Sequence, residues 1–278
     1  MKRIMKPPKM FAVLPTMLTL ANGACGFGSI TIAAKVGPEG IDAQQTLFVA
    51  ALLIFLGMIF DMFDGQAARW ANSASEFGAE LDSLCDAITF GVAPAFLMLQ
   101  FSSEFYHSRL LWVIGVLFAM CAVLRLARFN VETDEDDSHE YFSGLPSPAA
   151  AGTVAAFPIA ARGLMNWSGD KRVADLAPWA DQINLAMHFL LPVLTFITAF
   201  LMVSRIRYPH VFNQWFRGVR TRKHVIQLLF AAAAIFVVRE MALPLVLCFF
   251  TFASPLRAAW GEWIAPRFKG SKSESGEL

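Results

Sequence analysis

Four aspartates form two pairs within one short stretch, "FDMFDGQAARWANSASEFGAELDSLCDAITFG". Asp61 and Asp64 are three residues apart and Asp82 and Asp86 four apart, so in helices each pair projects from one face. Two such faces opposed across a short turn make a cluster of oxygen ligands. Divalent cations relieve the repulsion within it, and an all-oxygen set suits Mg²⁺, Mn²⁺ or Ca²⁺ rather than zinc. The spacing therefore predicts a divalent-metal site.

The segment between the two pairs has the composition of a phosphate site. Gly65, Ala68 and Gly78 leave backbone space beside the carboxylates, and Arg69 offers a fixed cation with bidentate geometry for a phosphate oxygen. Carboxylates, metal ions, an arginine and glycine gaps together predict phosphoryl transfer, in which bound metals neutralise developing charge. The alternative interpretation is that the aspartates are interfacial caps or loop charges without a metal.

The composition places these carboxylates in a membrane protein. Of the 278 residues 56% are hydrophobic and 16% charged, against about 25% charged in an ordinary soluble domain. The mean hydropathy is +0.51. A carboxylate at membrane depth costs about 2.5–3.5 kcal/mol, so such residues face a bundle interior or a watery cavity. We therefore expect the four aspartates to face inward.

Eight apolar runs predict an all-α polytopic membrane helical bundle, with six to eight transmembrane helices in a single domain over residues 1–260. Several runs are shorter than the about 20 residues of a span, so Asp61 and Asp64 should extend the second helix and Asp82 and Asp86 begin the third. The runs are Phe11–Ala34, Leu47–Phe60, Ile88–Phe101, Leu110–Leu126, Pro148–Leu164, Leu185–Val203, His224–Val238 and Ala242–Phe252.

The basic residues predict the orientation of the bundle. If the amino terminus is cytoplasmic, residues 1–10, Arg69, 125–128, 205–223 and 257–272 share that side and carry 17 of the 23 Lys and Arg residues, leaving 6 on the other. Positive charge marks the cytoplasmic side. We therefore expect a protein of the cytoplasmic (inner) membrane with its aspartates facing the cytoplasm. The basic segment 1–10 should lie at this interface, and the polar tail 261–278 should be a disordered cytoplasmic segment.

The complete pattern of the motif resembles a known family. Fixed identities at eight positions agree with the signature of the CDP-alcohol phosphotransferase family without a departure: Asp61, Asp64, Gly65, Ala68, Arg69, Gly78, Asp82 and Asp86. The resemblance implies a membrane-embedded enzyme that moves a substituted phosphoryl group from a CDP-linked donor to an alcohol and releases CMP. It also implies a homodimer.

The resemblance assigns a role to each residue of the motif. It makes Asp61, Asp64 and Asp82 ligands of a metal pair, two Mg²⁺ or Mn²⁺ ions, with Asp86 near the second metal and acting as the general base. In the same way, it implies that four residues line the CDP pocket: Gly65, Ala68, Arg69 and Gly78.

A polar position in the first helix is a further candidate. Family members resemble this chain in carrying polar residues there near the nucleotide, which makes Asn22 a candidate cytidine contact. The alternative is helix packing through Asn and Gly.

Two further segments indicate the acceptor. "RLARFN", 125–130, and "GLPSPAA", 144–150, resemble the phosphatidylserine synthase branch of the family, which implies CDP-diacylglycerol as donor and L-serine as acceptor. Arg125, Arg128 and Asn130 are then candidates for binding serine or a phosphate. The alternatives are anchoring by positive charge for the arginines and a helix C-cap for Asn130. In "GLPSPAA" the prolines predict an extended approach to a helix whose first turn contains Pro148. The small residues that follow, 149–152, predict close packing of this helix.

Rival functions remain open at this level. The same chemistry could use glycerol 3-phosphate, inositol phosphate or choline. A cation transporter would explain the aspartates but gives no role to Gly65, Arg69 and Gly78. The basic and aromatic stretch 204–224 predicts an interfacial segment on anionic membrane lipids rather than a nucleic-acid site. The four cysteines lack metal-ligand spacing and are expected to be buried free thiols.

Overall fold

The computed structural model describes residues 9–37, 42–71, 76–133, 141–168, 177–209 and 241–259. Four predicted features lie wholly or largely outside these residues: the amino-terminal basic segment, the rest of the basic and aromatic stretch from 210 onward, the apolar run 224–238 and the polar tail. The predictions about them stay predictions.

Seven continuous helices account for most of the described residues. Asp61 and Asp64 extend the second of them, as predicted. The third begins at Glu76, so Asp82 and Asp86 lie within it and not at its start. A π-helix, Ala87–Val92, joins Glu76–Asp86 to Ala93–Phe101 without a break, so these two α-helices with separate labels form one continuous helix. The helices are α1 (Lys9–Ala33), α2 (Ala43–Ala71), α3 (Glu76–Asp86), α4 (Ala93–Phe101), α5 (Ser108–Thr133), α6 (Ser147–Ser168), α7 (Ala177–Val203) and α8 (Ala242–Ala259).

Five segments are long and apolar enough to cross a membrane: Val13–Ala33, Ala43–Ala67, Glu76–Phe101, Ser108–Val131 and Trp179–Val203. The apolar part of α8, Ala242–Leu256, is shorter. The chain is therefore an integral membrane protein, and the prediction of an all-helical membrane bundle is confirmed. Seven of the eight apolar runs coincide with described helices.

Helix α6 forms the centre of the bundle. It packs against α2, α4, α7 and α8, and its residues from Ala150 to Pro158 are buried. Small side chains permit this close approach, because a Cβ at Gly152 would lie 3.2 Å from the terminal methyl carbon of Met58. The predicted close packing of this segment is confirmed.

A two-stranded antiparallel ladder, which the sequence did not predict, joins the segment before α6 to the segment after α7. Strand β1 (Tyr141–Ser143) pairs with β2 (Arg207–Pro209). Gly144 follows with φ of +84°, a conformation that favours glycine, and a Cβ there would collide with the carbonyl oxygen of Met202. The turn leads into α6 at Ser147, so Pro148 lies in its first turn as predicted.

The connections alternate between the two ends of the bundle. The end of α2, the start of α3, the end of α5 and the start of α6 share one end, with the ladder. The end of α1, the start of α2, the end of α4 and the start of α7 share the other. The assignment of basic residues to two membrane sides assumed that successive helices run in opposite directions. The arrangement of the helix ends agrees with that assumption. The membrane side of each end stays a prediction.

Candidate metal and transfer site

Three of the four aspartates come together where α2 meets α3. Ligand oxygens of Asp61, Asp64 and Asp82 all lie within 4.8 Å of one another. Asp64 is buried and the other two are half-buried. Helices α2 and α3 both pack against α1, and this shared packing accompanies the close approach of their carboxylates. The two-pair spacing thus produces the predicted cluster for these three residues.

The cluster fits a divalent cation on its own chemistry. Asp64 Oδ2 and Asp82 Oδ1 are buried and have no hydrogen-bond partner in the structure. A buried carboxylate oxygen without a donor is costly unless a cation compensates it. Three carboxylates are also the hard oxygen ligands that Mg²⁺ and Mn²⁺ prefer. Asp61, Asp64 and Asp82 could therefore hold a metal ion.

Asp86 lies one turn beyond Asp82 on α3 and has its own partner. Its carboxylate Oδ1 accepts a hydrogen bond of 2.8 Å from Nδ2 of Asn22 on α1. Both residues are buried. The Asp86 carboxylate also interacts electrostatically with those of Asp61, Asp82 and Asp64. The amide therefore fixes one oxygen of Asp86 and leaves the other available beside the cluster.

Glycines allow α1 to approach close enough for this contact. The Thr89 hydroxyl donates to the backbone oxygen of Asn22 at 2.9 Å. A Cβ at Gly26 would lie 2.7 Å from Cα of Thr89, and one at Gly57 would lie 2.6 Å from its Cγ2. Real side chains do not tolerate such distances, so only glycine permits α1, α2 and the π-helix to meet here.

The π-helix begins directly after Asp86. The N–H of Ala93 donates to the carbonyl of Ile88, five residues earlier, and Pro94 follows in the first turn of α4 with no N–H to donate. Short π-helical segments occur often at functional sites. The wider π-helical turn rotates the side-chain directions of α4 relative to those of α3. The aspartates of α3 and the apolar residues of α4 can therefore face different neighbours.

The first arginine of "RLARFN" contacts the helix that follows. Arg125 Nη1 donates to Ser147 Oγ at 2.8 Å. Its Nε is buried without a hydrogen-bond partner, and its guanidinium interacts electrostatically with Asp86. Arg125 therefore keeps a buried donor at the aspartate end of the bundle. Arg128 lies on the same helix, one turn nearer its end.

The C-cap alternative for Asn130 is wrong. Asn130 lies inside α5, which continues to Thr133. Its Nδ2 donates to Ser83 Oγ at 2.9 Å, and that hydroxyl donates in turn to the Ala79 carbonyl at 3.1 Å. Asn130 thus ties α5 to α3 beside the cluster. The sequence analysis did not identify Ser83, and its only sequence signal is its position next to Asp82.

The predicted CDP-pocket residues are partly described. Gly65 lies on α2, where a Cβ would meet no heavy atom within 4 Å, so open space adjoins the cluster. Gly78 lies in the first turn of α3 and is half-buried. Ala68 and Arg69 belong to α2, but their side chains lie outside the described part of the structure. The pocket that these residues would line stays a prediction.

The cysteines are free, as predicted. Cys25, Cys85 and Cys121 are buried and Cys248 is half-buried. Cys85 packs against α1, because a Cβ at Gly23 would lie 2.9 Å from its Sγ.

Comparison with known proteins agrees with the site. The family model described as CDP-alcohol phosphatidyltransferase matches residues 12–181. The archaetidylserine synthase of Methanothermobacter thermautotrophicus is 38% identical over 149 residues, covering 53% of this chain and 58% of that protein. The CDP-diacylglycerol--serine O-phosphatidyltransferase of Mycobacterium bovis is 36% identical over 143 residues, 50% of this chain and 46% of the relative. The Bacillus subtilis protein of the same name is 31% identical over 198 residues, which cover 71% of this chain and 90% of that protein.

The matches to the archaeal and mycobacterial relatives span about half of this chain and about half of each relative's length. The family match covers the whole motif from Asp61 to Asp86 and most of the described helices. The chain therefore belongs to the CDP-alcohol phosphatidyltransferase family.

Proposed function

We propose that this protein transfers the phosphatidyl group of CDP-diacylglycerol to the hydroxyl of L-serine, giving phosphatidylserine and CMP. The observation that carries the proposal is the Asp61, Asp64 and Asp82 cluster, with its unpartnered buried oxygens, beside an Asp86 held by Asn22. Serine as the acceptor is supported by the "RLARFN" and "GLPSPAA" segments and by the names of the relatives. We propose that the site faces the cytoplasm.

Asp86 serves as the general base in this proposal. Its free carboxylate oxygen takes the proton of the serine hydroxyl as that oxygen attacks the phosphorus bearing the lipid. The new oxygen–phosphorus bond forms while the bond from this phosphorus to the bridging oxygen of the pyrophosphate breaks. CMP leaves with the electron pair on its phosphate. Positioned bases of this kind typically contribute about 10²–10⁴-fold to the rate.

Asp61, Asp64 and Asp82 would hold the Mg²⁺ or Mn²⁺ ions, with Asp86 beside the second. When bound, the ions supply charge neutralisation for the pyrophosphate. The motif residues Gly65, Ala68, Arg69 and Gly78 would surround the CDP moiety, and Arg69 would pair with a phosphate oxygen. Asn22 Oδ1 is buried without a partner, so this residue also keeps an acceptor for a donor group such as the cytidine amine.

Arg125 is our first candidate for the serine carboxylate. Its buried Nε has a hydrogen to donate, and a charged acceptor would satisfy it by a strong charge-assisted bond. Arg128 is the second candidate. Asn130 acts through Ser83, so we propose that it positions α3 rather than touching the acceptor. The homodimer implied by the family resemblance stays a prediction.

The test is serine transfer by the purified protein. Labelled serine, CDP-diacylglycerol and Mn²⁺ or Mg²⁺ should give labelled lipid and an equal amount of CMP. Asp86→Asn should lower the rate by about 10²–10⁴-fold, because the variant has the same shape but cannot accept the proton. A chelator should abolish transfer, and added metal should restore it.

A matched control removes a different carboxylate from the same helix. Glu80 is exposed on α3, and Glu80→Gln should keep the rate within about twofold, since surface substitutions of this kind are usually mild. Equal losses in both variants would argue for a general charge effect and against Asp86 as the base. Comparing the transfer rates from CDP-diacylglycerol and from CDP linked to an archaeal-type lipid would identify the donor.

Other acceptors belong in the same assay. Glycerol 3-phosphate, inositol phosphate and choline share the chemistry, and turnover with one of these alone would keep the metal site and remove the argument from "RLARFN". Family membership favours transfer over cation transport. Absence of turnover with every alcohol and both donors would contradict the proposed function.

A further inference from the structure

A second cavity lies at the end of the bundle opposite the aspartates. Its volume is about 370 Å³, and it is lined by the ends of α1, α2, α4 and α7 and by α6. Gln44 lines it and Asp61 lies 17 residues further along α2, which corresponds to about 25 Å of helix. The volume falls within the range of about 300–1,000 Å³ that is typical of small-ligand pockets. This cavity is separate from the transfer site.

The lining of this far-end cavity combines apolar side chains, which make up just over half of it, with polar and acidic ones. Two exposed residues, Glu104 and Asp181, contribute carboxylates, and Gln44, Gln100 and Asn184 contribute amides. All lining residues lie in the described part of the chain, and none of them is Lys or Arg. The lining therefore carries two formal negative charges and no formal positive one.

A histidine held in one tautomer adds an acceptor. His188 Nδ1 lies 2.6 Å from the carbonyl oxygen of Phe101. A carbonyl only accepts, so Nδ1 carries the hydrogen and the neutral ring has its lone pair on Nε2. The ring also stacks on Phe101, with centroids 4.0 Å apart and planes inclined by 11°. The contact of α4 with α7 thus fixes the orientation of the imidazole.

Asn184 supplies a second acceptor without a donor. It lies one turn before His188 on the same face of α7, and both line the cavity. Its Oδ1 is buried and has no hydrogen-bond partner in the structure. An unsatisfied buried acceptor typically costs about 1–3 kcal/mol, which a ligand carrying an N–H donor would recover.

We propose that the far-end cavity binds an ammonium group. Asn184 Oδ1 and His188 Nε2 accept its N–H hydrogens, Glu104 and Asp181 balance its charge, and the Phe105 ring provides an apolar wall that also attracts cations. The group comes either from a soluble amine or from the headgroup of an aminophospholipid in the leaflet at this end. This inference does not depend on the proposed transfer reaction.

The first arm of the test uses a soluble probe. The full chain, purified in an uncharged detergent with saturating Mg²⁺, is heated with methylammonium chloride or with sodium chloride at equal ionic strength. Methylammonium should raise Tm by about 2–5 °C relative to sodium, as expected for a ligand well above its Kd. The Glu104→Gln, Asp181→Asn double variant should lose this rise. Ser103→Trp, which fills the mouth from an exposed position, should lose it too.

Asp42→Asn is the matched control. It removes a carboxylate from the same end of the bundle, but Asp42 does not line the cavity. Its starting Tm should fall because Asp42 pairs with Arg162, while the rise induced by methylammonium should stay complete. Loss of that rise in Asp42→Asn as well would attribute it to the charge of the whole face and overturn the cavity proposal.

The second arm distinguishes the two sources. The wild type and the double variant are reconstituted with equal amounts of phosphatidylethanolamine and phosphatidylglycerol, and the retained lipid is measured by native mass spectrometry. Preferential retention of phosphatidylethanolamine by the wild type alone identifies a headgroup site, whereas a Tm rise with methylammonium alone identifies a soluble amine. Wild type and double variant that behave alike in both arms would overturn the proposal.

Discussion

At the scale of single residues, one amide connects the first helix to the proposed general base. Asn22 donates to Asp86 from a fully buried position. Its backbone oxygen accepts from Thr89, which holds the helix segment in place. The sequence predicted a site role for Asn22 but not this partner. Through this contact α1 fixes one oxygen of the carboxylate that we propose as the general base.

Asn22→Leu tests this positioning role. The variant keeps the side-chain size but cannot donate, so Asp86 loses its fixed orientation and kcat for transfer should fall by about 10–100-fold, the range seen when outer-shell partners of metal-site ligands are removed. KM for serine should change less. Transfer assays at several serine concentrations measure both quantities.

Thr31→Val is the control on the same helix. Thr31 is exposed, and its hydroxyl bonds only the Phe27 carbonyl within α1. It should therefore keep near-normal kcat. A full kcat in Asn22→Leu would contradict the positioning role of the amide, whatever happened to Tm.

At the scale of elements, the contact between α1 and the π-helix depends on glycine. Gly26→Ala would put a methyl group 2.7 Å from the backbone Cα of Thr89, and a backbone atom cannot turn aside as a side chain can. We expect a loss of about 1–3 kcal/mol in the free energy of unfolding, seen as a lower Tm in detergent, together with weaker transfer.

Gly28→Ala provides the comparison. A Cβ there would meet only the Leu53 methyl at 3.3 Å, which can move by a rotamer adjustment. Its Tm should stay close to that of the wild type. Equal Tm values for both alanine variants would contradict the claim that α1 touches the π-helix at Gly26.

The start of α2 has a cap that also pairs with α6. Asp42 Oδ1 accepts from the N–H groups of Gln44 and Gln45 at 3.1 and 3.3 Å, and its Oδ2 accepts from Arg162 Nη1 at 2.8 Å. The hydrogen bond from Arg162 is the main reason that the pKa of Asp42 is lowered from its ordinary value. Asp42 is exposed and Arg162 is half-buried, so solvent screens the pair and we expect less than about 1 kcal/mol from it.

This arrangement predicts a pH dependence with a definite sign. A lowered folded-state pKa means that the pair stabilises fully above the ordinary pKa of about 4 and loses its effect as pH falls through the folded-state value. Asp42→Asn keeps the cap, because Asn caps as well as Asp, but loses the pair. The Tm difference between wild type and variant should be constant near neutral pH, shrink in acid and also shrink with salt.

A different outcome would be informative at that site. If the Tm difference grew as the pH fell, the carboxylate would be destabilising in the folded state, and the ion pair with Arg162 would have no part in holding α2 to α6.

At the scale of the whole molecule, the bundle has two chemically different ends. The aspartate end carries the cluster, Arg125 and the short ladder, and the other end carries the acidic far-end cavity. Positive charge predicts that the aspartate end faces the cytoplasm. The donor lipid would then enter from the inner leaflet.

Labelling with an impermeant maleimide tests the orientation. Gln45→Cys is exposed at the cavity end and Glu80→Cys at the aspartate end. In intact spheroplasts Gln45→Cys should be labelled and Glu80→Cys only after permeabilisation. The parent protein should stay unlabelled, since three of its thiols are buried and Cys248 is half-buried. The reverse pattern would invert the proposed topology.

The sequence by itself determined the class of the fold and the candidate metal ligands. Helical periodicity fixes which residues share a face, so the spacing of Asp61, Asp64 and Asp82 was enough to predict a shared cluster, and apolar length was enough to predict the helices. The small residues around Gly152 likewise predicted the close packing of α6.

Only the tertiary structure decided which groups meet across helices. The bonds of Asn22 to Asp86, Asn130 to Ser83 and Arg125 to Ser147 join residues 64, 47 and 22 positions apart. No local period relates such positions, because their distance depends on how whole helices pack. The far-end cavity is of the same kind: four helix ends and α6 build it, and no single segment carries its pattern. Local spacing therefore specified the ligands, and packing specified their partners.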